Sequence, residues 1–259
     1  MISEQKRAQL QSLVDHGYSF PFSDYISQAF DIFQRKMGLF IGFILMYLVT
    51  TAVIGSIPLF GDIAVQVLID PIFTIGMFIV SHKIARNEVS GFEDFFKGTD
   101  RLGDLILTAV ISNAITVAAA LPFIFFVWQY GILDWFWALE ADSEAIFNIP
   151  EFPSWTTIFL IPVIYISVAY SWGYQFVYFY GMQAWEGLEW SRQIITKRWF
   201  TFFGFSFLLG LIAISGVLLL VVGLLLTLPP VIIAQYVAFA DISKLDDEIE
   251  EDISDHLIV

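Results

Sequence analysis

Residues 199–241 read WFTFFGFSFLLGLIAISGVLLLVVGLLLTLPPVIIAQYVAFAD, and the 41 positions between Trp199 and Asp241 carry no charge. One helix of that length would measure about 60 Å, twice the roughly 30 Å of hydrocarbon in a bilayer. The stretch therefore has to fold back on itself, and the turn is expected between Ser215 and Gly223. That reading yields a fifth span from about Phe200 and a sixth ending near Ala240. Working outward by the same rule of about 20 apolar residues per crossing, earlier spans are expected near 38–57, 63–81, 104–128 and 155–182. The fold class expected is all-α: a polytopic membrane protein with six transmembrane helices.

Composition agrees with that reading. Hydrophobic residues make up 58% of the 259, Phe alone occurs 27 times, and the mean hydropathy is +0.74. A water-soluble domain does not carry so much apolar surface. There is no cysteine, which excludes disulfides, thiolate metal sites and a thiol nucleophile. The first 20 residues are polar and mixed, so no cleaved signal peptide is expected and the first span serves as its own targeting signal.

The twelve cations set the orientation. Lys6, Arg7, Arg35, Lys36, Lys83, Arg86, Lys97, Arg101, Arg192, Lys197, Arg198 and Lys244 all fall on flanks that share one side of the six spans. The positive-inside bias assigns that side, with both chain ends, to the cytoplasm. Residues 1–241 are expected as one membrane domain, with 1–37 a cytoplasmic and interfacial segment and 130–155 an outer loop. Residues 242–259 are expected as an acidic cytoplasmic tail. From Asp241 onward eight acids face Lys244 alone, which supplies half of the formal charge of −14.

An internal repeat is legible. Three hairpins are expected, each with an amphipathic lead-in lying in the membrane interface, a cationic hinge, a rising helix, an outer turn and a returning helix broken by proline. The lead-ins begin at Tyr25, Phe92 and Leu188; the hinges are Arg35-Lys36, Arg101 and Lys197-Arg198, which double as interface anchors. Pro58 and Pro122 correspond as outer prolines, and Pro71, Pro162 and Pro229-Pro230 as kinks of the return helices. Small residues four apart, Gly38 with Gly42, Ala52 with Ser56, Ala169 with Gly173 and Ser206 with Gly210, mark expected packing seams.

Phe22-Ser23-Asp24-Tyr25-Ile26-Ser27-Gln28-Ala29-Phe30, Ile57-Pro58-Leu59-Phe60-Gly61, Asp70-Pro71 with Gly76, His82-Lys83-Ile84, and Phe92-Glu93-Asp94-Phe95-Phe96-Lys97-Gly98 also carry a resemblance. With them the chain resembles a group of bacterial membrane proteins related to the membrane domain that precedes some glycerophosphoryl diester phosphodiesterases. The resemblance implies a six-helix protein of the bacterial inner membrane. It implies no activity, since the soluble phosphodiesterase module has no counterpart in these residues.

Asp70 is the acidic residue well inside an expected span, about seven residues from its outer end, and a carboxylate at the centre of a span costs about 2.5 to 3.5 kcal/mol. It is a functional candidate by default, and Gln66, Asn113, Gln175 and Gln235 are polar residues of the spans that would complete an interior site with it. The competing reading is a water-reached Asp that satisfies backbone groups freed by Pro71. In the outer loop Glu140, Asp142 and Glu144 alternate like part of a calcium loop but lack its Gly and terminal Glu, so interface packing through Trp135, Trp137 and Trp155 is expected instead. The tail spaces Ile242, Leu245, Ile249, Ile253 and Leu257 as one helix face, suited to a basic cytoplasmic protein partner or to the protein's own cationic rim, and a solvated, disordered tail is the competing reading.

Catalytic signatures are missing: His16, His82 and His256 are far apart, and neither a nucleophile elbow nor a phosphate loop occurs. No catalytic, cofactor-binding or metal-ligating residue is expected, membrane lipids are the expected partners, and nucleic acid is not one. The function expected is non-catalytic, in membrane, envelope or lipid-related organisation. A transporter or channel with a polar path through Asp70 is the alternative.

Overall fold

The computed structural model describes residues 4–58, 60–141, 150–217 and 220–245. The regular structure among the described residues is helical, and six helical stretches are long and apolar enough to cross a membrane: Met37–Gly55, Gly61–Ala85, Phe92–Gln129, Ser154–Phe179, Trp199–Val217 and Val222–Ser243. A helix satisfies its own backbone groups, so these runs can sit in hydrocarbon without orphaned donors.

In chain order, α1 (Glu4–His16) precedes α2 (Phe22–Arg35) and α3 (Met37–Gly55). A short α4 (Gly61–Ala64) passes through a π-helical stretch, Val65–Ile69, into α5 (Asp70–Ala85). A 3-10 helix over Phe92–Arg101 leads into α6 (Leu102–Gln129), and α7 (Ile132–Ala141) occupies the first part of the expected outer loop. Another 3-10 helix, Ser154–Leu160, opens α8 (Ile161–Ala169), which is followed by α9 (Gly173–Phe179), α10 (Ala184–Lys197), α11 (Trp199–Val217) and α12 (Leu220–Ser243). The expected fifth-to-sixth turn falls at residues 218–219, outside the described residues.

Three details depart from the expectation. The fourth span is not one helix: Tyr170, Ser171 and Trp172 interrupt it between α8 and α9. Pro122 lies inside α6 rather than in an outer turn like Pro58. The return-helix prolines have three different settings. Pro71 follows the π-helical stretch, Pro162 opens α8 after a 3-10 helix, and Pro229-Pro230 stand within α12. Ahead of Pro71 the ladder has slipped by one residue, so that the N–H of Asp70 donates to the Val65 carbonyl. Proline has no N–H and collides with the carbonyl four residues back, and a π turn relieves that clash.

Two pairs of helices have equal lengths. α2 and α10 have 14 residues each, and α3 and α11, which follow them after one residue, have 19 each. The hinge residues share a backbone shape, with φ −140° and ψ 40° at Lys36, φ −123° and ψ 32° at Arg101, and φ −131° and ψ 43° at Arg198.

The packing is concentric. Helices α5, α9 and the second half of α12 form the centre, where Phe239 meets Phe176 at 5.3 Å, Trp172 at 5.5 Å and Phe78 at 6.2 Å between ring centroids. Helices α3, α6 and α11 stand outside, with Val53, Leu121 and Ile214 exposed. Such exposure is the default for surfaces meant for lipid, because acyl chains are as apolar as the side chains they touch. α2 buries Tyr25, Ala29, Ile32 and Phe33 and packs on α12; α10 packs on α9; the 3-10 helix Phe92–Arg101 packs on α5. The second and third contacts follow from chain adjacency. The first joins residues more than 200 positions apart, and it closes the bundle.

Candidate functional site

Asp70 starts α5, half-buried, and accepts a hydrogen bond of 2.8 Å from the Tyr47 hydroxyl of α3. Tyr47 is held for that role by stacking on Phe73 at 3.9 Å. The four expected companions are not gathered there. Gln66 is exposed, Asn113 and Gln235 are half-buried, and none of the three bonds to Asp70 among the described residues. Gln175 is fully buried but works elsewhere: one end of its side-chain amide lies 3.1 Å from the Trp172 carbonyl and 3.2 Å from that of Ser171, and we assign the nitrogen to that end because the oxygen would face only acceptors there while the nitrogen donates to both. These carbonyls belong to the interruption between α8 and α9. Ser191 of α10 serves the same break, accepting from the Trp172 N–H at 3.1 Å and donating to the Ala169 carbonyl at 2.7 Å.

Of the expected anchors, three are engaged by protein. Arg35 donates to Asn87 (3.2 Å) and to the Ile84 carbonyl (3.4 Å), Arg101 pairs with Asp104 (2.7 Å) and donates to the Val177 carbonyl, and Arg198 lies over the Tyr18 ring at 5.9 Å. Lys36 and Lys197 are exposed, and their side chains make no ion pair or hydrogen bond among the described residues.

The polar chemistry of the structure gathers at the cation-bearing end, where sequence reasoning placed anchors but no site. Asp94 is 3% exposed and takes Lys83 (2.7 Å) and Lys97 (2.8 Å) on one carboxylate oxygen and the Gly91 N–H (3.0 Å) on the other. Between α2, α5 and α12 opens a cleft of about 500 Å³. Its wall includes Asp24, Gln28, Lys244 and two phenols. Tyr25 donates to Asp241 at 2.6 Å, and the hydroxyl of Tyr236 meets His82 Nδ1 at 3.1 Å. Burial, then the bond to Asp241 and its charge, push the Tyr25 hydroxyl above its usual pKa, so the phenol stays a donor at neutral pH.

Helix α1 braces this end. Lys6, nearly fully buried, donates to the Lys244 carbonyl (2.7 Å) and lies over the Tyr180 ring, while Tyr180 donates to the Ser243 carbonyl (3.0 Å). α12 continues beyond Asp241 to Ser243, with Ile242 and Leu245 buried. The first of the residues read as tail thus belong to the packed bundle. Residues 246–259, which hold most of the tail, lie outside the described residues, as do Asp142 and Glu144. Compared with family models, curated proteins and solved structures, the chain matches none of them.

Proposed function

We propose that this protein is a non-catalytic integral membrane protein that works through its cation-bearing rim, on the cytoplasmic side of a bacterial inner membrane, in envelope or lipid-related organisation. The observation that carries the reading is the separation of its polar groups. Asp70 is committed to Tyr47 and Gln175 to a backbone break, whereas the cleft and the Lys83–Asp94–Lys97 cluster lie where the cations are. Both chain ends face the cytoplasm in this reading, and a basic cytoplasmic protein is the partner of the acidic tail.

The three-hairpin repeat belongs to the same proposal. It is supported by the equal helix lengths, by the common shape of the three hinges, and by a cyclic rule of contact. Each lead-in packs on the return helix of the preceding hairpin, and α2, having none before it, packs on the last. The lead-ins lie in the interface with their polar faces toward water, and the hinge cations lie at headgroup level.

The second reading, a transporter or channel, rests on Asp70 itself, a half-buried carboxylate within a span. Proteoliposomes under imposed proton, sodium or potassium gradients separate the two. The expected result is no flux above empty vesicles from either the native chain or Asp70→Asn. Flux that disappears in a folded Asp70→Asn protein would replace the proposal with the transporter.

A further inference from the structure

A second cavity, of about 330 Å³, opens at the first hinge. Arg35 and Lys36 line it from the end of α2; Ile84 lines it from α5, and Asn87, Glu88 and Ser90 from the loop that follows. The loop is fixed by Asn87, which adopts a left-handed φ of 58°, a conformation that Asn tolerates better than most residues, and accepts from Arg35 at 3.2 Å.

Charge in the wall is unbalanced. Its one acid, Glu88, is matched by Arg86 at 3.1 Å, which leaves the guanidinium of Arg35 and the ammonium of Lys36 in excess. Lys83 approaches the Val89 carbonyl at 3.5 Å and is matched, together with Lys97, by Asp94 alone, so this neighbour adds positive potential. Lys36 has no counter-ion among the described residues. The bonds that Arg35 makes both leave from Nη1, and the planar group has further N–H donors suited to an oxyanion. α3 begins at the next residue, and its N-terminal dipole adds to the field. Finally, the hydroxyl of Ser90, a residue of the cavity wall, is buried with no hydrogen-bond partner among the described residues, a condition that an acceptor oxygen would relieve.

We propose that this hinge cavity binds a phosphoryl group, with Arg35 and Lys36 as the charged clamp and the Ser90 hydroxyl as a neutral donor. Such a group comes from an anionic lipid headgroup or from free phosphate. The inference rests on the rim reading above and names the ligand chemistry of one part of that rim.

The test uses the full chain in phosphate-free dodecyl maltoside, titrated with dihexanoyl phosphatidic acid or with dihexanoylglycerol and read by native mass spectrometry. The phosphatidic acid is expected to bind and the neutral lipid not. Lys36→Gln should weaken binding about fivefold, the factor that corresponds to about 1 kcal/mol for one interfacial cation. Ser90→Ala should weaken it by a smaller factor. Lys197→Gln, at the third hinge, should leave it unchanged.

Arg35→Gln also removes a tie to α5, so the exposed Lys36 carries the test if that variant fails to fold. Inorganic phosphate that competes at a concentration below that at which phosphatidic acid itself binds assigns the site to free phosphate, and competition only above it, or none, assigns the site to the lipid headgroup. Equal binding of the neutral lipid, or equal losses from Lys36→Gln and Lys197→Gln, overturns the proposal. Ion flux through Asp70 is a separate readout, so failure of the rim reading and failure of this site are distinguishable.

Discussion

Asp70 and Asp94 show how differently two carboxylates announce themselves. Asp70 interrupts a long apolar run, so its cost can be read from the sequence, though the Tyr47 hydroxyl that meets that cost lies in another helix. Asp94 stands among Glu93, Lys97 and Asp100, where a solvated charge is the ordinary expectation; burial is what makes it structural. Replacing Asp94 leaves Lys83 and Lys97 facing each other without their shared anion. Asp94→Ala is expected to cost about 2 kcal/mol, less than the 3–5 of a fully buried pair because Lys97 is half exposed. Asp70→Asn keeps an acceptor for Tyr47 and should cost under about 1 kcal/mol. Unfolding titrations with sodium dodecyl sulfate in maltoside micelles compare the two, and an equal or reversed ranking would contradict these assignments.

Helices were largely legible because the length of an uncharged run measures how many crossings it can make. Their interruptions were less so. The gap at 170–172 is held by Gln175 and by Ser191, which lies 19 positions beyond Trp172, and a hydropathy profile records neither bond. Packing seams illustrate the same limit. Spacing nominated Gly173, where a Cβ would strike the Leu188 side chain, but also Gly38 and Gly210, where it meets open space, and it passed over Gly76, where it would strike the Phe95 backbone carbonyl. Small residues four apart permit close approach without saying which faces meet. Gly76→Ala is accordingly expected to destabilise by about 2 kcal/mol through overpacking against a backbone that cannot yield. Gly210→Ala should be neutral or stabilising by about 0.5 kcal/mol, since it restricts the unfolded chain without a clash. The same unfolding titration reads both, and equal effects would mean that the α5–Phe95 contact is not tight.

For the protein as a membrane-embedded body, orientation is the property open to direct test. The chain has no cysteine, so every single-cysteine variant carries one label site. Ser12→Cys in α1 and Val89→Cys beside the hinge cavity should react with a membrane-impermeant maleimide only after the membrane is opened. Trp137→Cys in α7 should react in intact spheroplasts. The opposite pattern would reverse the topology and move the proposed rim to the other face. Six candidate spans and the bias of the cations follow from sequence because a bilayer imposes a one-dimensional rule: apolar runs cross it and charges stay out. Hydropathy has no comparable rule for lateral neighbours, since a helix that faces lipid and one that faces protein can be equally apolar. The Tyr47–Asp70 bond, the burial of Asp94 and the closure of α2 onto α12 therefore emerged only when the helices were placed side by side, where shape and hydrogen-bond geometry choose among equally greasy partners.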